Sequence, residues 1–215
     1  MVPKDEYPLE MQVEIAMRRS HRWEKRSLDE HLRLNSSQGL YGIIQGGIYE
    51  DLRSDSINFV NSLPFFGHGI GGSLGANHED MSKILKLCNE KLSPDRPKHL
   101  LGIGKIADIE LAVPYGIDTF DCVHPTRIAR HGGALLYNNG AREHININNA
   151  CHKEDYRPID EKCRCYTCCN FTRSYLHYLF AAKEILGILL VVEHNVHFMN
   201  REMERIREKI RMTSE

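Results

Sequence analysis

The 215 residues predict an α/β fold with a parallel sheet over 1–132, followed by a hairpin and helical module over 133–215. Three observations carry this. Short apolar runs alternate with amphipathic stretches of helical length through the first part, which is the pattern of βα units. Each run ends in a Gly-rich or polar turn: Gln45-Gly46-Gly47, Gly71-Gly72-Ser73, Gly102-Ile103-Gly104 and Asp121-Cys122. After about residue 132 the alternation stops and cysteines crowd together.

In chain order, residues 8–33 read as one amphipathic helix. Leu9, Val13, Ala16, Met17 and Ser20 recur at three- and four-residue steps, with Trp23 on the same side. Leu40 to Ile44 reads as a buried strand, followed by an amphipathic stretch over 49–63. Phe66 to Ile70 is a Gly-laced strand with a helix over 78–92 after it. His99 to Ile103 is a third strand, a helix over 105–115 comes next, and Ile117 to Cys122 is a fourth strand. In parallel α/β folds the carboxyl ends of the strands carry the chemistry, which directs attention to those four turns. Further on, Ala134 to Tyr137, Asn138-Asn139-Gly140 and His144 to Asn148 predict a β-hairpin. Two apolar-faced helices follow over 171–186 and 188–212, with Gly187 as the break between them.

Composition narrows the class. With 41% hydrophobic and 27% charged residues the chain is of the globular type. No apolar run reaches the roughly 18 residues of a membrane span, and the start, Met1 to Glu6, lacks the form of a secretory leader. A net charge of -1 excludes a broadly basic nucleic-acid coat but leaves room for a local basic patch. Four of the seven cysteines fall between Cys163 and Cys169, whereas a disulfide framework spreads and pairs them. A reducing, cytoplasmic setting therefore fits better.

Cys163, Cys165 and Cys168 stand in a C-x-C-x2-C spacing with histidines downstream. Tetrahedral zinc takes such sets, and Cys3His is a common one. A tight turn supplies three sulfurs, and a returning helix supplies the fourth ligand. His177, His194 and His197 all lie on the following helices, and spacing alone does not choose between them. Cys169 should point elsewhere. A closed four-ligand set leaves no position for water, so one structural rather than catalytic Zn2+ per chain is predicted.

The most informative stretch is Phe120-Asp121-Cys122-Val123-His124-Pro125-Thr126-Arg127-Ile128-Ala129-Arg130-His131-Gly132. A carboxylate at a strand end, followed by two arginines three residues apart, suggests a nucleophile meeting an anionic substrate. With it the chain resembles the tRNA-guanine transglycosylases, or queuine tRNA-ribosyltransferases. The resemblance extends through residues 40–47, Gly69-Ile70-Gly71-Gly72 and Leu101 to Lys105. It continues into the Cys163–Cys168 stretch, Arg173 to His177 and Glu193-His194-Asn195, and so covers nearly the whole chain.

That resemblance implies a zinc-containing (β/α)8 TIM barrel, here its C-terminal part, that exchanges guanine at the tRNA anticodon wobble position for a 7-deazaguanine base such as preQ1 or queuine. It implies Asp121 as the nucleophile that attacks the ribose C1′, and His194 as the fourth zinc ligand. An aspartate is ionised at neutral pH and needs no base to attack. Gln45, Gly71 and Gly72 would read the base edge, and Leu101 would pack on its face. Arg127 and Arg130 are similar to arginines that contact anticodon nucleotides beside the extruded one. Arg142, Lys153, Lys162, Arg164 and Arg173 would add a local phosphate-binding patch. A homodimer through residues 171–212 is a further expectation.

Two departures stand out. The four strands are half of a barrel's eight, and the family's general base, on a Ser-Gly-Gly-Phe-Gln-type loop, has no counterpart in these residues. Neither has the aspartate that grips the base edge. The expectation is a chain that is inactive alone or works beside a separate N-terminal half. Residues 72–77, Gly-Ser-Leu-Gly-Ala-Asn, also differ from the Leu-Ala-Val-Gly-Glu of queuosine-type relatives, leaving the preferred base open. The alternative is a truncated, inactive fragment or a non-catalytic tRNA-binding or dimerisation subunit.

Overall fold

The computed structural model describes residues 9–138 and 141–213, without the side chains of 138 and 141–143. The residues before Leu9, the Asn139-Gly140 turn and the Arg142 side chain lie outside the described residues. The chain packs as two compact units, Met1–Asp121 and Cys122–Glu215. Among the described residues, no helix is long and apolar enough to cross a membrane.

The first unit alternates α1 (Leu9–Leu34), β1 (Tyr41–Ile44), α2 (Glu50–Asn61), β2 (Gly67–Ile70), α3 (His78–Lys91), β3 (Lys98–Leu100), α4 (Ile106–Ala112) and β4 (Thr119–Phe120). The four strands form one parallel sheet in the order β1-β2-β3-β4, the arrangement of consecutive strands in a (β/α)8 barrel. Registers Ile44↔Ile70, Ile70↔Leu100 and Leu100↔Phe120 align the strand ends. Ile44, Ile70 and Leu100 form a core with Ile57, Val60, Ile84 and Leu85 from α2 and α3. The Asn77 side chain accepts from the Asp80 N–H and starts α3. The stretch expected as one helix over 105–115 tightens to a 3-10 turn at Val113–Tyr115, where Pro114 cannot donate to the α-helical ladder.

The face expected of α1 is corrected by its packing. Met17, His21 and Leu28 are buried, while Leu9 and Trp23 are exposed. Trp23 lies six residues beyond Met17, off the buried stripe at 100° per residue. The polar His21 sets the register instead. Its ring stacks on Phe59 with centroids 4.1 Å apart, and its Nε2 meets Ser56 Oγ at 2.9 Å. One turn on, Glu24 Oε2 accepts from the Ile43 N–H at 3.3 Å. That N–H points away from β2, so α1 covers part of an edge that would otherwise offer bare strand donors.

The second unit comprises α5 (His124–Ala129), β5 (Gly133–Asn138), β6 (Ala141–Asn146), α6 (Tyr166–Asn170), α7 (Arg173–Ala181) and α8 (Ile185–Thr213). β5 and β6 pair antiparallel from Gly133↔Asn146 to Asn138↔Ala141. Ala129, Ala134, Ile147, Ile159, Leu176, Leu179, Leu190 and Val191 make its core. The expected break at Gly187 is not observed. α7 ends before Lys183, whose φ of 58° turns the chain, and Gly187 lies inside α8. A Cβ on Gly187 would stand 3.0 Å from Leu179 Cβ, so this glycine permits two helices to approach rather than ending one.

A buried and a half-buried group of the first unit titrate with opposite effects on stability. Burial, aided by Arg96 and Lys98, pushes His68 down to about 4 from 6.5, and both its ring nitrogens lack a hydrogen-bond partner. Its contribution is complete above pH 6.5 and is lost as pH falls toward 4. Burial raises Glu24 to about 7 from 4.5, against the hydrogen bond from Ile43. Its contribution is complete below pH 4.5 and is lost as pH rises toward 7. Relative to the wild type, His68→Leu should therefore gain stability on acidification through this window, and Glu24→Gln should gain on the way back up. Thermal midpoints followed by circular dichroism read both slopes; parallel curves for all three proteins would contradict the assignment.

Candidate active site and metal centre

The parallel register brings Gln45, Gly71, Gly72, Leu101 and Asp121 to the carboxyl edge of the sheet. The Gly71 N–H donates to the Ile44 carbonyl at 3.0 Å and the Leu101 N–H to the Ile70 carbonyl at 3.1 Å. The ladder thus continues until each loop departs. Leu101 is 37% exposed, and its Cδ1 stands 3.1 Å from where a Cβ on Gly71 would lie. Gly72 has a φ of +72°, and its missing Cβ would stand 3.0 Å from Gln45 Oε1. A side chain there would meet both backbone strain and the Gln45 amide, so glycine keeps this surface flat. The Gln45 N–H donates to Ser56 Oγ at 3.0 Å, which couples the loop to α2 and, through Ser56, to His21 on α1.

Beneath these loops lies Arg53, fully buried. Its Nε donates to the Gly47 carbonyl at 2.7 Å, Nη1 to Ile44 at 3.0 Å and Nη2 to Ser73 at 2.9 Å. Burial pushes its pKa below the usual arginine range, yet the three carbonyls accept the guanidinium charge. The clamp joins the loop that carries Gln45 to the loop that carries Gly72. Sequence reasoning passed over Arg53 because carbonyl partners leave no signature in side-chain spacing.

Asp121 ends the unit just beyond β4, with a side chain 59% exposed. Its Oδ1 accepts the Gly102 N–H at 2.9 Å and faces His99 Nε2 at 3.2 Å. Both contacts span about twenty residues of chain, so the sequence placed His99 on a strand and Gly102 in a turn without pairing either with Asp121. Arg127 and Arg130 belong to the second unit, where α5 and its C-terminal cap expose both side chains.

Within the second unit, Cys163, Cys165, Cys168 and His194 place their donor atoms within 4.8 Å of one another. His194 Nδ1 lies 3.8 Å from Cys163 Sγ, 3.5 Å from Cys165 Sγ and 3.3 Å from Cys168 Sγ. Tetrahedral zinc with its ordinary bond lengths requires sulfur–nitrogen edges of roughly 3.5 Å, so the donor set fits the ion. His194 Nε2 donates to the Leu135 carbonyl at 2.6 Å, which orients the ring and leaves Nδ1 toward the sulfurs. The neighbouring Glu193 accepts the Tyr166 N–H at 3.3 Å and the Thr167 N–H at 3.1 Å, holding the cysteine turn against α8. Of the other candidate ligands, His177 turns its Nδ1 to the Ile147 carbonyl at 2.8 Å, and neither it nor His197 joins the cluster. Cys169 is exposed and outside it.

Crowding shows in the acidities. Hydrogen bonds with Cys165 and Cys168 push Cys163 far below the thiol range, and Cys165 is pushed far above it by Cys163, Cys168 and burial. Burial disfavours charge on His194, but its contacts with Cys163 and Cys168 outweigh that and raise it to about 10. A cation held by these donors would expel the protons they share. Of the expected phosphate-binding patch, Lys153, Lys162 and Arg164 are exposed. Arg173 is not available: it donates to the Pro158 and Ile159 carbonyls at 2.9 and 2.8 Å and pairs with Asp155 at 3.0 Å.

A family model described as queuine tRNA-ribosyltransferase matches residues 2–214. Among curated relatives, the queuine tRNA-ribosyltransferase of Azoarcus sp. (strain BH72) is 46% identical over 196 residues, covering 91% of this chain and 52% of the relative. That of Protochlamydia amoebophila (strain UWE25) is 41% identical over 214 residues, 98% of this chain and 54% of the relative. That of Bacillus subtilis (strain 168) is 42% identical over 207 residues, 95% and 53% respectively. The chain thus spans about half the length of the curated relatives it matches.

The metal centre yields a direct test. His194→Ala should lose bound zinc, measured by plasma emission spectroscopy, whereas His177→Ala and His197→Ala should retain it. Chelation should raise hydrogen exchange over 133–212 before residues 41–121 change. Protection that persists across 133–212 after the metal is gone would contradict a structural role.

Proposed function

The chain belongs to the queuine tRNA-ribosyltransferase family, and from that premise we propose that it carries the nucleophile of a tRNA-guanine transglycosylase. The substrate is the guanosine at the anticodon wobble position of tRNA, and the incoming base is a 7-deazaguanine such as preQ1 or queuine. An Asp121 oxygen attacks the ribose C1′, and the C1′–N9 bond breaks with its electrons leaving on guanine, which takes up a proton. The new base then attacks C1′, loses a proton and returns Asp121 to the carboxylate. The logic is that of a retaining glycosidase, with proton transfer left to a second group.

The single observation that carries this reading is the placement of an exposed carboxylate, anchored through one oxygen, at the sheet edge shared by Gln45, Gly72 and Leu101. A flat glycine backbone, an amide and an exposed leucine suit the edge and face of a planar base. Arg127 and Arg130 serve neighbouring nucleotides of the anticodon loop. When bound, zinc supplies structural cross-linking, held by Cys163, Cys165, Cys168 and His194. The exposed Tyr166, Tyr175 and Tyr178, with Phe171 stacked 5.5 Å from Tyr175, offer an aromatic face for a homodimer.

The reaction is proposed for an assembled barrel. β1 and β4 are the outer strands of the sheet among the described residues, and the remaining strands would pair there, on the same chain or on a separate N-terminal half, with the Ile43 N–H passing from Glu24 to the strand that joins β1.

Exchange of labelled guanine into tRNA tests the reading. In the assembled barrel Asp121→Asn should reduce exchange by at least 10³-fold, and Gly72→Ala should mainly raise the KM for the base. Arg127→Ala with Arg130→Ala should weaken tRNA binding and flatten its salt dependence. Retained tRNA binding with no exchange by the unsubstituted protein would favour the non-catalytic subunit instead.

A further inference from the structure

Asp121 Oδ1 is held from two directions, and Oδ2 takes no hydrogen bond among the described residues. The Gly102 N–H occupies one lone-pair direction of Oδ1 at 2.9 Å, and His99 Nε2 lies at 3.2 Å. An ionised carboxylate only accepts, so the proton in the second contact belongs to His99. In a neutral ring Nδ1 is then the acceptor, and Thr119 Oγ1 lies 2.8 Å from it, ready to donate. The result is a relay along one edge of β3 and β4: Thr119 hydroxyl to His99 Nδ1, His99 Nε2–H to Asp121 Oδ1. The ring is three-quarters covered, with a side chain 24% exposed, and Tyr41 meets it edge-on with centroids 6.4 Å apart. His99 and Thr119 are direct register partners, so the pairing of the two strands sets the contact.

From this geometry we propose that His99 is a positioning residue for the nucleophile: it and the Gly102 amide fix Oδ1, so that Oδ2 is the oxygen presented for attack. This rests on the reading of Asp121 as nucleophile. The hydrogen bond fixes rotation about the Asp121 Cβ–Cγ bond, so the free oxygen faces one direction. The cost is some loss of intrinsic nucleophilicity in Oδ1, which matters little when Oδ2 does the attacking. Cys122 and His124 come next in sequence but belong to the second unit, and the proposal uses neither.

The test reads the contact directly and needs no turnover. With aspartate carboxyl carbons and histidine ring nitrogens labelled and Asp121 assigned through Asp121→Asn, the resonances are compared by NMR at one fixed pH. His99→Phe should move the Asp121 carboxyl resonance, and His99→Gln, which restores an N–H near Nε2, should bring it back toward its wild-type position. Conversely, Asp121→Asn should move the His99 Nε2 resonance relative to wild type, a readout that does not depend on how the His99 variants fold. In the assembled barrel, His99→Phe should lower kcat for guanine exchange about tenfold with the KM for tRNA unchanged, and His99→Gln should restore it. An unmoved Asp121 in His99→Phe together with an unmoved His99 in Asp121→Asn overturns the inference. Exchange retained by Asp121→Asn overturns the nucleophile reading instead, while the two resonances still decide the pairing.

Discussion

Parallel pairing in register is the constraint on which the first unit depends. Because Ile44, Ile70, Leu100 and Phe120 are aligned neighbours, every strand releases its chain at the same edge and within one or two residues of the same level. Gln45, Gly71, Leu101 and Asp121 are the residues that follow those positions directly. Their assembly needs no special arrangement of loops; it follows from the sheet. What the loops then require is fixation, and a guanidinium supplies it. Arg53 satisfies the carbonyls of Ile44, Gly47 and Ser73 at once. Without it, the buried Gly47 carbonyl would lose its partner, at on the order of 1–3 kcal/mol, while Ile44 would keep the Gly71 N–H and the two loops would no longer be joined. A long residue from the helix side therefore fixes the floor of a site whose upper surface is glycine.

The second unit is organised by three successive residues of α8. Glu193 takes the free N–H groups at the start of α6, His194 faces the three sulfurs and reaches the Leu135 carbonyl, and Asn195 bonds to the backbone of Pro125, Gly133 and Leu135. One helical turn thus touches the cysteine loop, the hairpin and α5. A metal at this point would reinforce a junction already tied by neutral and charged hydrogen bonds. Its role there would be structural, because all four donors face one another and none is left for a substrate.

Much of this was legible in the residues. The alternation of apolar runs and amphipathic stretches located all four strands and their helices to within a few positions, since burial on both faces of a parallel sheet leaves a plain signal. Where the reading failed, longer-range packing had overridden local pattern. Trp23 looked like a core residue, but His21, stacked on Phe59, turned the helix so that it is exposed. Gly187 looked like a break, but the chain turned at Lys183, a residue with no propensity for φ > 0, and used the glycine for a close helix contact. The short helices α5 and α6 are below the length at which periodicity can be seen. For the site, spacing found three sulfurs and left three histidines open, because helix geometry alone does not say which face returns to the turn. The roles of His99, Gly102 and Arg53 were missed for a related reason: their partners are a distant carboxylate and backbone carbonyls.

The central claim is that Asp121 forms the covalent bond to ribose. Its most direct test is mass spectrometry of the assembled enzyme quenched in acid with tRNA, without incoming base, followed by nuclease and protease digestion. The account predicts a ribonucleotide adduct, lacking guanine, on the peptide that contains Asp121 and on no other carboxylate. An adduct mapped to a different residue, or guanine exchange that proceeds with no protein adduct at any time, would contradict it.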